Sequence, residues 1–239
     1  MIPRLAGGPE APFPPVQQAL REPDGLLAWG GDLSPQRLLR AYQHGIFPWF
    51  SEGDPILWWS PHQRTVLRSH EFHCARRLAR TLRDSRWQFS ADLAFSEVLH
   101  GCADSRSSTW ITPAMQAAYL QLHALGHAHS FEAWYDGELA GGLYGVSLGR
   151  MLFGESMFSA RRDGSKAVLA MLCWLMHGWQ MPLLDCQLAS AHLASLGARE
   201  LERETFLREL QPLVSDEGHI GSWRERARRA LSGSAWQPR

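Results

Sequence analysis

Residues 130–157 read SFEAWYDGELAGGLYGVSLGRMLFGESM, and this stretch decides the fold class. Ser130–Tyr135, Leu139–Ser147 and Met151–Met157 are three strand-length runs rich in aromatic and aliphatic residues. Asp136-Gly137, between the first two, is a hairpin signal, because both residues tolerate the positive φ that a two-residue turn demands. The glycines at 141, 142, 145 and 149 crowd the second run and mark places where another backbone or a ligand comes close.

Downstream, Ser165–His177 is apolar nearly all round, as a core helix should be, and Gly178 ends it. Leu183–Gln187 reads as a short strand, followed by a helix through His192 to Leu196, a strand over Arg199–Arg203 and a helix over Thr205–Val214. Upstream, Pro113–Leu125 is a helix with Thr112 as N-cap and Gly126 as its stop. The spacing of Phe72, Ala75, Ala79 and Leu82 predicts a helix over 72–83, with Arg76, Arg80 and Arg83 on the adjacent stripe. A strand around Thr65–Leu67 precedes it. Ser34, Pro35 and Gly45 bracket a helix from Pro35 to His44, and the proline- and glycine-rich residues 1–25 read as a surface arm. The expected class is α+β: a small N-terminal domain over residues 1–62, then a domain over 63–239 whose mixed, largely antiparallel sheet is flanked by helices.

Bulk properties narrow the function. No secretory leader is visible at the N-terminus, and the longest apolar run, Ala167–Met176, is about half of what a membrane span needs. The four cysteines are scattered without a Cys-x-x-Cys pair, which suits a reducing compartment. A soluble, cytoplasmic protein without a membrane partner is the expectation. Net charge is zero, but seven arginines against two acids fall between Arg64 and Arg86, and Arg224, Arg226, Arg228 and Arg229 form a second cluster. Such clustering is the footprint of a polyanion.

Several constellations could carry chemistry. Glu155 sits in an apolar strand, as a substrate-binding acid or a salt-bridged structural one. Asp185 and Gln187 alternate onto one strand face, with Cys186 on the other. An acid beside an amide could orient and deprotonate an amine, or simply cap the next helix. Nothing marks Cys186 as a low-pKa nucleophile. Gly126 breaks the helix that His123 and His127 would need for metal spacing, so no metal is expected. The Arg76/Arg80/Arg83 stripe either tracks phosphates or is a solvated face. Phe47, Trp49, Phe50, Trp58, Trp59 and Trp110 form either core or a stacking platform.

Taken together, these segments resemble the leucyl/phenylalanyl-tRNA–protein transferase family. The residues that carry the resemblance are Gly30-Gly31-Asp32-Leu33-Ser34, Ala41-Tyr42-Gln43-His44-Gly45-Ile46-Phe47-Pro48-Trp49-Phe50, Trp58-Trp59-Ser60-Pro61 and Thr109-Trp110-Ile111-Thr112. Further matches are Gly142-Leu143-Tyr144-Gly145-Val146, Phe153-Gly154-Glu155-Ser156-Met157-Phe158-Ser159, Asp185-Cys186-Gln187 and Ser195-Leu196-Gly197-Ala198. The resemblance implies a C-terminal domain similar to the GNAT acyltransferase fold. It also implies transfer of Leu or Phe, and Met in some cases, from aminoacyl-tRNA to proteins with N-terminal Arg or Lys, which marks them for degradation. No cofactor is implied, since the donor ester is already activated. Carried over by motif, Asp185 and Gln187 are the catalytic pair, with Asp185 polarising the Gln187 amide, and Glu155 lies at the reacting centre. Trp49 and Trp110 would hold the terminal adenosine and aminoacyl group. Tyr42, Phe47, Leu143 and Met157 would line the side-chain pocket, and Arg76, Arg80 and Arg83 would meet the tRNA. Two departures are Leu201-Glu202-Arg203, where Ile-Pro-Arg is common, and Leu143, where methionine is frequent. The rival readings are an acyl-CoA-dependent N-acetyltransferase, whose pyrophosphate loop is missing, and a non-catalytic RNA-binding module.

Overall fold

The computed structural model describes residues 2–5, 8–105 and 109–233. Its first sheet is built from β1 (Arg4–Leu5), β2 (Leu26–Gly30), β3 (Phe47–Pro48) and β4 (Leu57–Trp59), with helix α1 (Pro35–Gln43) between β2 and β3. The strand order is β1-β2-β4-β3, antiparallel except for the parallel β1/β2 pair. The proline-rich arm is therefore more than a surface tail: β1 pairs with β2, and Leu5, Val16 and Ala19 are buried. Met1, Ala6 and Gly7 lie outside the described residues. Ser34 precedes α1 as expected but makes no side-chain cap, because its hydroxyl bonds Asp32 instead.

The remaining elements follow in order as β5 (Gln63–Arg68), α2 (Arg76–Thr81), β6 (Trp87–Ala91), α3 (Phe95–Asp104), α4 (Pro113–Ala124), β7 (Ala128–Tyr135), β8 (Glu138–Leu148) and β9 (Met151–Ser159). Then come α5 (Gly164–Gly178), β10 (Leu183–Gln187), α6 (Ala191–Ser195), β11 (Arg199–Glu202), α7 (Arg203–Val214) and α8 (Arg224–Gly233). Seven strands form one sheet in the order β11-β5-β10-β9-β8-β7-β6, antiparallel throughout except where β10 runs parallel to β9. That single parallel contact needs a crossover, and α5 supplies it. The fold class is α+β, with mixed, largely antiparallel sheets flanked by helices.

The hairpin at Asp136-Gly137 forms with both residues at positive φ, 54° and 83°. Thr112 caps α4 by accepting the Met115 N–H at 3.3 Å. The helix expected over 72–83 is cut to α2, because its first turn is pulled out straight: the His73 N–H donates to the Leu196 carbonyl in the loop before β11. β6 and α3 are additions. β6 alternates Trp87, Phe89 and Ala91 with polar residues, and α3 buries Phe95, Val98, Leu99, Cys102 and Ala103 at helical spacing.

The seven-stranded sheet is covered on both faces. On one side lie α2, α5 and α8, which pack on Leu67, Phe131, Leu143, Leu152 and Leu184. The opposite side carries α3, α4 and α7, and its core runs without a break into the first sheet through Leu27, Leu38, Tyr42 and Trp58. Tyr42 meets Phe153 of β9 with ring centroids 5.0 Å apart, so the small sheet is seated directly against the strand that carries Glu155. No helix among the described residues is long and apolar enough to cross a membrane.

Candidate active site

β9 and β10 are in parallel register only as far as Asp185 opposite Phe153. Beyond that pair each strand carries an extra residue. Against β8, Tyr144 faces Ser156 and Gly145 faces Gly154, which leaves Glu155 bulged out. Against β5, Asp185 faces Val66 and Gln187 faces Thr65, which leaves Cys186 bulged out and Gln187 at φ 58°. Bulges bend a strand and re-aim its side chains. Gly145 permits the first one, since a Cβ there would lie 2.3 Å from the Phe153 carbonyl oxygen. The two strand ends splay apart at the same level, and a cavity of about 310 Å³ opens between them.

Phe47, Trp49 and Trp110 form one wall of this cavity; Leu143, Met157, Leu169, Leu184 and Leu193 form its apolar floor. Glu155 and Gln187 lie side by side in its lining, with the Gln187 Nε2 donating to the Glu155 carboxylate at 3.2 Å. Trp49 is 40% exposed, and its carbonyl accepts the Trp59 indole N–H at 2.6 Å, which fixes the backbone under the ring. Ser156 also lines the cavity; its buried hydroxyl has no partner among the described residues.

Of the residues singled out from sequence, Gln187, Glu155, Trp49, Trp110, Phe47, Leu143 and Met157 are thus brought to one cleft. Tyr42 and Asp185 are not in its lining. Both are fully buried one layer behind. The alternation expected to put Asp185 and Gln187 on one face is broken by the bulge, so Cys186 and Gln187 both reach the cleft while Asp185 turns inward. Its carboxylate accepts Arg64 Nε at 2.8 Å and Nη2 at 2.6 Å, and also the main-chain N–H of Gln187 at 2.9 Å. Asp185 therefore holds the backbone of Gln187, not its side-chain amide. Arg76, Arg80 and Arg83 are exposed on and just after α2, as a solvent-facing cationic stripe requires.

Arg64 and Tyr119 escaped the sequence reading. Arg64 looked like one more member of a basic cluster. It is in fact buried, stacked between Phe47 and Phe206 at 4.7 and 4.8 Å, and also donates to the Gly45 carbonyl at 3.0 Å. Tyr119 lies on the core face of α4 beside Met115, Ala118 and Leu122, where a phenol is a visible anomaly. Its hydroxyl donates to Glu155 at 2.5 Å, and Tyr42 bonds Tyr119 at 2.8 Å. Burial pushes both phenols well above their ordinary range, so they stay protonated and act as donors. The chain is then Tyr42 to Tyr119 to Glu155.

Desolvation, reinforced by the nearby Asp185 charge, raises the Glu155 carboxyl to about 7, although the two tyrosine hydrogen bonds and Arg64 pull the other way. A carboxyl poised there takes or gives a proton at neutral pH. Burial drives the Cys186 thiol well upward, so it has no nucleophilic character. The site is an apolar slot with one adaptable acid and one amide in its lining.

Two family models match most of the chain. The family model described as leucyl/phenylalanyl-tRNA protein transferase matches residues 66–211, and that for the N-terminal domain of the same family matches residues 31–62. The chain belongs to the leucyl/phenylalanyl-tRNA–protein transferase family. A relative of that name from Xanthomonas campestris pv. campestris (strain B100) is 52% identical over 236 residues, covering 97% of this chain and 95% of its own. Another, from Chromobacterium violaceum, is 55% identical over 217 residues, covering 90% of this chain and 92% of its own. Among solved structures, a GCN5-related N-acetyltransferase from Kribbella flavida aligns with a TM-score of 0.37 at 7% identity, over 69% of this chain and 60% of that one.

Proposed function

We propose that the cleft receives the aminoacyl ester at the end of leucyl- or phenylalanyl-tRNA and passes the amino acid to the α-amine of a protein beginning with Arg or Lys. What supports this most is the make-up of the slot: an aromatic wall, a floor of Leu143, Met157, Leu169, Leu184 and Leu193, and Glu155 beside Gln187. An apolar floor accepts an aliphatic or aromatic side chain that is not branched at Cβ, and discriminates by about 1–3 kcal/mol per methylene. Trp49 and Trp110 offer the faces on which a terminal base or ring can stack.

Glu155 is the only acid lining the cleft among the described residues, so it is the group that an incoming cationic N-terminus meets. The approaching ammonium favours the ionised carboxylate, which then accepts the amine proton; an α-amine has a pKa of about 8, close enough for transfer. The freed nitrogen attacks the ester carbonyl carbon. As the C–N bond forms, the bond to the ribose oxygen breaks; the second proton shed by the attacking nitrogen passes to that oxygen, and deacylated tRNA leaves while Glu155 returns the first proton to solvent. The Gln187 amide, held by the Asp185 bond to its backbone, orients Glu155 and the amine. Positioning two bound substrates supplies most of the remaining acceleration.

The direct test is transfer of labelled Phe from Phe-tRNA to a peptide starting with Arg. The Arg peptide is expected to be labelled and a Gly-starting control to stay blank; an unlabelled Arg peptide overturns the reading. Labelled acetyl-CoA is expected to give no product. Trp49→Ala and Trp110→Ala should each raise the donor KM about 5- to 150-fold, which corresponds to loss of one stacked base or ring, with the acceptor KM unmoved. An unchanged donor KM in steady-state assays would remove the aromatic wall from the proposal.

A further inference from the structure

A second concavity, of about 550 Å³, lies away from the cleft and is lined by Arg77, Arg80, Thr81, Asp84, Trp87, Tyr135, Arg161, Arg162 and Asp163. It brings together α2 and the turn between β9 and α5, which are separated by some eighty residues of chain. All four arginines are exposed. The two acids are already engaged. Asp84 accepts Arg86 at 2.7 Å and the Tyr135 hydroxyl at 3.1 Å, and Asp163 lies 3.6 Å from Lys166 and 4.0 Å from Arg162. Arg86 also faces Asp136 at 3.7 Å. The concavity therefore keeps a surplus of positive charge that the protein does not neutralise.

Its walls are also ordered. The Arg161 guanidinium lies 3.8 Å from the Tyr135 ring centroid, and Arg86 stacks on the same ring at 4.6 Å. A cation held on an aromatic face keeps its N–H groups free at the edge for an anion. Asp163 precedes the fifteen-residue α5 at its N-cap position without a side-chain capping bond, so the positive end of that helix dipole adjoins the same concavity. Trp87 and Tyr135 are the only large apolar groups in the lining, and both are buried, so an apolar or lipid-like occupant gains little here.

We infer that Arg161 and Arg162, with Arg77 and Arg80 opposite, form a phosphate clamp that grips the backbone of the donor tRNA near its aminoacylated end. This goes beyond the α2 stripe and rests on the function proposed above. β9 ties the clamp to the chemistry: Glu155 and Arg161 are six residues apart on one strand and its exit turn, so their Cα atoms are at most about 22 Å apart. The phosphates gripped thus belong to the nucleotides nearest the ester. Because β9 carries Glu155 and leads directly into the turn that holds Arg161 and Arg162, a gripped backbone sets how deeply the ester enters the cleft.

The experiment compares wild type with R161E/R162E and R161K/R162K, using Phe-tRNA and a phenylalanyl ester of adenosine, which has no backbone phosphate, as donors. Circular dichroism and thermal melting establish that each variant folds. For R161E/R162E the KM for Phe-tRNA is expected to rise at least ten-fold. The slope of log kcat/KM against log salt concentration should become shallower by about 1.4–1.8, the release expected from two lost phosphate contacts. The loss should be confined to the tRNA donor, and R161K/R162K should keep most of the slope. An unchanged KM and slope in a folded R161E/R162E would overturn the clamp. So would an equal loss with both donors, since that would place the effect in the cleft. If the wild-type protein transfers Phe from neither donor, it is the proposed function, not the clamp, that fails.

Discussion

Replacing Asp185 with alanine is expected to lower the unfolding free energy by about 3–5 kcal/mol, because it leaves the Arg64 guanidinium buried without its counter-charge. For a chain of this length that corresponds to a fall in Tm of about 6–20 °C. The pair is bidentate, both side chains are at most 1% exposed, and the arginine is packed between Phe47 and Phe206. Transfer activity should also vanish, since the Gln187 N–H loses its acceptor and the left-handed backbone at Gln187 loses its restraint. The double variant Arg64→Met, Asp185→Leu separates the two consequences. Two apolar side chains of similar size should restore most of the melting temperature, as buried ion pairs often allow, while activity stays absent. Thermal and denaturant unfolding measure the first effect and peptide labelling the second. A single Asp185→Ala variant that melts within about 2 °C of wild type would show that the pair does not hold the site together.

Replacing Glu155 with glutamine is expected to cost about 10²–10⁴ in kcat/KM with the KM for Phe-tRNA unchanged, the scale of a lost general base. The pH profile carries the sharper signature. In the free enzyme the carboxyl titrates at about 7 and must be ionised to accept a proton. Wild-type kcat/KM therefore climbs as pH rises through 7, and the glutamine variant should lose that limb, keeping only the rise that belongs to the acceptor amine. Stability moves in the opposite sense. A carboxyl whose folded value lies above its ordinary 4.5 binds a proton more tightly when folded, so its contribution to stability is complete below 4.5 and is lost as pH rises to about 7. Above pH 7, Glu155→Gln should therefore melt at a higher temperature than wild type. A variant that retains the limb near 7, or melts lower at pH 8, would assign that titration to another group.

Much of this protein is written locally. The 3.6-residue spacing of α4 and α5, the Asp136-Gly137 turn and the Thr112 cap all depend on neighbours within a few residues, and they form where the periodicity puts them. The missed elements were legible too: β6 alternates and α3 repeats its apolar face, although each is short. The aromatic wall was foreseeable because Phe47, Trp49 and Trp110 lie in segments with a strong family pattern.

Other features had no local trace. A bulge adds one residue to a strand without altering its composition, so nothing in Gly154-Glu155-Ser156 or Asp185-Cys186-Gln187 announces that the alternation breaks there. The partner that claims Asp185 is 121 residues away in the chain, and its identity depends on how β5 lies against β10. The same holds for the concavity that joins α2 to the turn after β9. Sequence alone determined the elements, their order, the family and the residue types of the cleft, because periodicity, caps and turns are short-range effects. Tertiary structure alone decided which acid faces the cleft and which is locked beneath it, because sheet register and burial are set by contacts that exist only after the chain has closed on itself.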